Sequence, residues 1–228
     1  MLNYRVPSEW LAAFVPAGTE LDLWDGAAYV SLVGFLFRDT RLLGIPVPFH
    51  RTFEEVNLRI YVRRVVAGEV RRAVTFLREL VPRRAIALVA RLTYNEPYRA
   101  LAMRHRIELR ARDETPASVA YEWRESSRWA RLAVEPMGGR EPLRSGSEEE
   151  FITQHYWGYT RQRDGSTVEY EVRHPAWRVW HLRSAVLEGD LAPVFGERFA
   201  TVLAGRPHSA FLADGSVVTV HSPTRLSV

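Results

Sequence analysis

Between Glu55 and Val62 apolar and polar residues alternate without a break. Val56, Leu58, Ile60 and Val62 are apolar and β-favouring, while Glu55, Asn57, Arg59 and Tyr61 carry hydrogen-bonding groups. A period of two over eight residues predicts a β-strand with two different faces. Its polar face lines up an acid, an amide, a guanidinium and a phenol about 6–7 Å apart, a set able to bind and orient a small polar ligand.

The same pattern organises the rest of the chain. Ser8–Val15 predicts a short amphipathic helix stopped by Pro16 and Gly18. Leu21–Trp24 and Ala28–Phe37 predict two strands joined through Asp25-Gly26. A loop is expected over Arg38–His50, where Gly44, Pro46 and Pro48 oppose regular structure. Val70–Leu80 predicts the next strand, and Pro82 opens a helix with a stripe of Ala85, Ile86, Leu88, Val89 and Leu92. After a turn over Thr93–Tyr98, Met103, His105, Ile107, Leu109 and Ala111 alternate with arginines and Glu108. That pattern predicts a one-sided strand with its apolar side inward.

Val119–Arg124 and Trp129–Val134 continue an antiparallel pattern, and Glu135–Gly146 is expected to be a long loop. Ser147 and Glu150 have capping-box spacing for a helix reaching His155. A hairpin then turns at Asp164-Gly165 between Tyr156–Arg163 and Thr167–Arg173. Ala192–Leu203 predicts a helix ended by Gly205, and a last hairpin is expected at Asp214-Gly215. With no repeat and no linker, residues 1–228 read as a single domain. Its expected fold is mainly β (α+β), an antiparallel β-barrel-like core with a few peripheral helices.

Composition narrows the chemistry. The 31 basic residues are all arginine, so lysine Schiff-base catalysis and a P-loop lysine are excluded from this chain. With no cysteine there is no thiolate nucleophile and no disulfide framework. No run of apolar residues is long enough for a transmembrane helix, and the N-terminal residues lack a signal-peptide layout. A cytoplasmic location and no membrane partner are therefore expected. The net charge of +4 is mild, and acids interleave the arginine stripe. That argues against a nucleic-acid partner.

The order of features resembles the YqjF-like family of uncharacterised bacterial proteins, which share the acetoacetate-decarboxylase-like fold. The residues carrying the likeness are Leu21–Gly34, Phe53–Val62 and Phe151–Trp177, the last including Tyr-Trp-Gly-Tyr-Thr-Arg and His-Pro-Ala-Trp. In that decarboxylase a lysine forms a Schiff base with a β-keto acid, helped by glutamates and an arginine. Glu55 is similar to one of those glutamates, and the resemblance makes Arg59 a group to hold a carboxylate. The nucleophilic lysine has no counterpart. The related fold also raises the expectation of a homo-oligomer.

The candidate site therefore centres on Glu55 as general acid or base and Arg59 as an anion clamp. Asn57, Tyr61, Tyr94, Asn95, His105, Tyr159 and Trp177 are candidate ligand-binding residues. No histidine spacing points to a metal, and no motif points to a cofactor. Two readings stand. In one, a barrel cavity binds a small organic anion or polar metabolite, as a binding protein or as an enzyme independent of lysine. In the other, Glu55 and Arg59 form an ion pair that plugs the barrel of a non-catalytic interaction module.

Overall fold

The computed structural model describes residues 1–42, 45–46, 52–85, 87–88, 95–113 and 115–226. Strands β1 (Leu2–Val6), β2 (Glu20–Leu21) and β3 (Ala28–Phe37) come first. A two-residue ribbon follows, β4 (Arg41–Leu42) with β5 (Ile45–Pro46), inside the stretch expected to be a loop. The long hairpin β6 (Phe53–Val66) and β7 (Glu69–Val81) turns at Ala67-Gly68, both with positive φ. Then come β8 (Tyr98–Ala100), β9 (Ala102–Leu109), β10 (Pro116–Glu125) and β11 (Arg128–Pro142). The second half adds β12 (Trp157–Arg161), β13 (Thr167–Arg173) and β14 (Arg178–Glu188). Short strands β15 (Ser209–Ala210), β16 (Leu212–Ala213), β17 (Thr219–Val220) and β18 (Thr224–Arg225) close the chain.

Besides that ribbon two larger sheets result, and among the described residues neither closes into a barrel. The larger runs β15-β1-β3-β6-β7-β12-β13-β17, with β2, β8 and β18 attached at its sides. The smaller runs β16-β14-β11-β10-β9. The fold is mainly β, as the sequence leads one to expect, while closure of that core into a barrel is not seen among the described residues, whose two larger sheets are open. Val56, Leu58, Ile60 and Val62 of β6 meet Tyr121, Trp123 and Leu132 of the smaller sheet in one apolar core. Gly34 permits that approach, because a Cβ there would lie 2.7 Å from the Tyr121 ring.

Several expectations shift for identifiable reasons. The Asp25-Gly26 turn forms, but Leu21–Trp24 does not pair along β3. Leu21 pairs with Val62 instead, and only Trp24 and Ala27 bridge the turn. The Ser8–Val15 helix is α1 (Ser8–Leu11) followed by a 3₁₀ turn, Ala12–Phe14. Arg84, Ala85, Ala87 and Leu88 are helical as Pro82 predicts, while Ile86, Val89 and Leu92 lie outside the described residues. β9 is not one-sided: it sits at the end of the smaller sheet, and Ile107 and Leu109 are exposed. β11 runs through the expected 135–146 loop as far as Pro142, kept in register with β14 by two irregularities.

Helix α2 (Glu148–Thr153) starts where Ser147 accepts a bond from the Glu150 N–H. The Glu150 carboxylate accepts from Gly146 N–H rather than closing the full capping box. The Ala192–Leu203 helix is split at Gly196, φ +80°, into α3 (Ala192–Phe195) and α4 (Glu197–Ala204). No hairpin forms at Asp214-Gly215, since β16 pairs with β14 and β17 with β13. Among the described residues no helix is long and apolar enough to cross a membrane.

Candidate functional site

The polar face of β6 is not on the surface. Glu55 and Asn57 are each 2% exposed and Tyr61 is fully buried. Both faces of this strand are covered, the apolar one by the smaller sheet and the polar one by two separate groups of residues. The second cover is what builds a site.

At one end of the face three carboxylates converge. In register, Asn57 stands opposite Glu79 on β7, and Glu79 stands opposite Tyr98 on β8. Glu55 is the next residue along the same face of β6. Its Oε1 accepts from Asn57 Nδ2 at 3.1 Å, and its Oε2 accepts from the Tyr98 hydroxyl at 3.1 Å. Tyr98 also shares a hydrogen bond with Glu79. Glu96 reaches the cluster from the turn before β8, where Asn95 takes φ +57°. Pro97 disfavours helix at Glu96, and its carbonyl accepts from the Glu79 N–H at 3.2 Å.

Glu96 Oε1 accepts from the Tyr170 hydroxyl and, at 3.4 Å, from Thr160 Oγ1. Tyr170 gets there by lying across Gly158, its cross-strand partner. A Cβ at Gly158 would fall 2.1 Å from Tyr170 Cζ, so glycine is required for this contact. Among the described residues no arginine is ion-paired to Glu55, Glu79 or Glu96.

Electrostatics follow from burial without a counter-charge. Burial pushes Glu55 up to about 7, with the Glu96 charge adding and the Asn57 and Tyr98 bonds opposing. Burial likewise raises Glu96 to about 7, against the bonds from Tyr170 and Thr160. Glu79 is raised well above a carboxylate's ordinary value, by burial first and then by Glu96 and Glu55. Burial and these same three acids also raise the Tyr98 hydroxyl. The cluster therefore holds protons at neutral pH and can exchange them there.

The other end of the face belongs to Arg59 and Tyr61. Arg59 Nη2 donates to the Ile152 carbonyl near the end of α2 at 2.9 Å, and Nε to the Tyr61 hydroxyl at 3.3 Å. Tyr61 donates to Ser31, and Ser31 to Asn3 Oδ1. Tyr61 and Phe151 pack with His155, which burial pushes down to about 4 and keeps neutral. Its Nε2 lies 3.5 Å from Asp22, itself ion-paired to Arg72 at 2.7 Å. Glu55 and Arg59 thus face different partners, and the ion pair that would plug a barrel is not formed.

The remaining candidates scatter. Tyr94 lies outside the described residues. Asn95 donates to the Arg161 carbonyl and serves the turn that carries Glu96. His105 is 2.6 Å from Glu54, whose side chain points to the face of β6 opposite Glu55. Tyr159 is buried with the apolar core. Trp177 is half-buried, stacked on His174 and bonded to Ser216. Glu55 and Asn57 are therefore joined by Glu79, Glu96, Tyr98, Thr160 and Tyr170; the sequence reading had marked the turn over Thr93–Tyr98 and the stretch Phe151–Trp177 that hold four of them, but had named none of the five as a site residue. The available signal was Glu79, an acid set between Phe76-Leu77 and Leu80-Val81 in a strand.

The fold is that of acetoacetate-decarboxylase-like proteins. The model aligns with the enduracididine biosynthesis enzyme MppR complexed with pyruvate at TM-score 0.65 and 14% identity, covering 99% of this chain and 86% of that one. An acetoacetate decarboxylase-like enzyme from Sphingomonas wittichii RW1 aligns at TM-score 0.62 and 15% identity, covering 99% and 89%. Acetoacetate decarboxylase from Legionella pneumophila aligns at TM-score 0.59 and 10% identity, covering 99% and 83%. By sequence the chain belongs to the DUF2071 family, described as an uncharacterized conserved protein, whose model matches residues 1–217. It is 27% identical over 192 residues to the uncharacterized protein YqjF of Bacillus subtilis (strain 168), covering 82% of this chain and 72% of that protein.

Proposed function

We propose that the Glu55–Glu79–Glu96 cluster is the binding site for a small polar metabolite, with Glu55 as the group that gives or takes its proton. The observation that carries this is a carboxyl buried to 2% exposure, raised to about 7, and oriented on both oxygens by Asn57 and Tyr98. A general acid or base works best with its pKa near the working pH. A buried acid without a cation costs stability, and proton exchange with a ligand is a use that offsets the cost. Because the chain has no lysine, this chemistry is acid–base rather than Schiff-base.

Related folds support a small-molecule role, since MppR was solved with pyruvate and with HEPES. The pyruvate complex favours a second reading, in which Arg59 holds an organic anion. Against it, the Arg59 fork is already engaged by Ile152 and Tyr61.

The test is a thermal-shift screen of small metabolites of both charge signs, pyruvate included, on wild type and Glu55→Gln. A ligand at 100 times its Kd stabilises by about 2.7 kcal/mol, which is readily seen. Hits are expected to vanish in a folded Glu55→Gln protein and to show Glu55-dependent proton–deuterium exchange by NMR. Hits that persist undiminished in that variant overturn the proposal.

A further inference from the structure

The smaller sheet carries a depression of about 550 Å³, lined by Arg104, His105, Arg106, Ala120, Glu122 and Arg131. That volume lies within the range of small-molecule sites. Strand pairing builds it from two rows of side chains. Arg104 on β9, Glu122 on β10 and Arg131 on β11 stand directly opposite one another, and so do Arg106, Ala120 and Ala133. Residues two apart on a strand share a face, so both rows lie on one side of the sheet. The His105 side chain turns to the other side, 2.6 Å from Glu54. Ala120 and Ala133 carry only methyl groups, and the long side chains of the first row therefore stand beside open space.

Two guanidiniums are held in place at its wall. Glu122 Oε2 accepts from Arg104 Nε, and its Oε1 lies 3.6 Å from Arg131 Nε. The Arg104 guanidinium also stacks on the Trp129 ring, 4.2 Å from its centroid. Both arginines are thus fixed by their Nε edge, and among the described residues their Nη groups have no hydrogen-bond acceptor. Arg106 pairs with Glu108 at 2.7 Å, and Glu108 also accepts from Ser118. Glu188 stands opposite Arg131 on β14 without forming an ion pair among the described residues. The lining thus sets three guanidiniums against one carboxylate. A guanidinium donates and never accepts, so what this wall lacks is an acceptor with negative charge.

We infer that this depression is a second ligand site, for a small metabolite that carries a phosphate or carboxylate group. The Nη edges of Arg104 and Arg131 hold the oxyanion, since a planar fork matches either group. Arg106 borders it, and the body of the ligand lies over Ala120 and Ala133. The site is on the smaller sheet and uses no residue of the Glu55–Glu79–Glu96 cluster.

The probes are phosphate, malonate and chloride at matched ionic strength, on the full chain, by thermal shift and by NMR of the arginine Nε–H signals. Phosphate or malonate, but not chloride, is expected to raise Tm and to move the Arg104 and Arg131 signals saturably. A response to phosphate alone marks a phosphorylated ligand, and one to malonate alone a carboxylate. Arg104→Gln and Arg131→Gln, at side chains 60% and 44% exposed, keep the fold and are expected to weaken binding roughly tenfold or more. Arg225→Gln, which removes an exposed guanidinium paired with Asp164 on the larger sheet, is expected to change nothing. Shifts that remain in Glu55→Gln and are lost in Arg131→Gln belong to this depression, whereas the reverse pattern overturns the inference and leaves the acid cluster as the site. An equal shift from chloride, an equal loss in Arg225→Gln, or no saturable movement of the Arg104 and Arg131 signals also overturns it.

Discussion

Replacing Glu55 by glutamine should make the protein less stable in mild acid and more stable in mild base. In the folded chain the carboxyl is raised from an ordinary 4.5 to about 7 by burial. Below the lower value both folded and unfolded chains hold the proton. Between the two values the unfolded chain ionises first, so stability falls as pH rises, and above about 7 the loss is complete. At about 1.4 kcal/mol per unit of pKa, the charge costs about 3 kcal/mol at pH 8. Glutamine removes that cost. It keeps the bond from Asn57 but presents an amide N–H₂ to the Tyr98 hydroxyl, which must turn from donor to acceptor, at a cost of about 1 kcal/mol. The variant is then about 1 kcal/mol less stable at pH 4, nearly equal at pH 5, and about 2 kcal/mol more stable at pH 8. Urea unfolding at pH 4 and pH 8, with unchanged slope, measures this directly. Two stability curves that run parallel across this range would refute a buried, uncompensated Glu55.

Other perturbations probe the neighbours. Gly158→Ala places a methyl 2.1 Å from Tyr170 Cζ; it should cost about 1–3 kcal/mol in urea unfolding through overpacking. By pushing Tyr170 away it should also lift Glu96 further above 7, read from its carboxyl NMR titration. Tyr170→Phe should give the same lift without the overpacking, and an unmoved Glu96 in both variants would contradict the contact. Asp22→Asn leaves Arg72 without its anion beside His155, and should cost on the order of 3 kcal/mol by urea unfolding. Arg59→Ala should lose about 1–2 kcal/mol from its bonds to Ile152 and Tyr61. It should leave any Glu55-dependent ligand shift unchanged, whereas loss of such a shift would return Arg59 to the site.

The sequence pattern located the strand that matters and its two faces, because strict alternation on β6 survives intact in the structure. It also found the turns at Asp25-Gly26 and Asp164-Gly165 and the Ser147 cap, where a few adjacent residues decide the conformation. What it could not supply was which face meets what. Alternation on Ile107 and Leu109 reads as a buried strand, yet β9 lies at the end of its sheet and nothing among the described residues covers those side chains. The same ignorance split the predicted site. Glu55 and Arg59 look like partners two steps apart, but one meets β7 and β8 while the other meets α2. Glu79 and Glu96 join Glu55 only through pairing between distant segments, and alternation along β7 is broken by a bulge between the pairs Leu58–Arg78 and Arg59–Phe76.

That division also separates the two readings of the polar face. A polar plug built for stability would join an acid to a cation, since an unpaired buried charge is among the costliest groups a core can hold. The Asp22–Arg72 pair beside His155 follows that rule, and hydrogen bonds to His155 and Arg72 together with the Arg72 charge lower Asp22 despite burial. Among the described residues Glu55, Glu79 and Glu96 break it, with Arg59 four residues from Glu55 along β6. The means of neutralising a buried acid, present at Asp22, are not used here among the described residues. Two acids raised to about 7 by burial, a third raised well above its ordinary value, and a glycine that lets Tyr170 through set this cluster apart from the Asp22–Arg72 pair, as a proton-exchanging site requires.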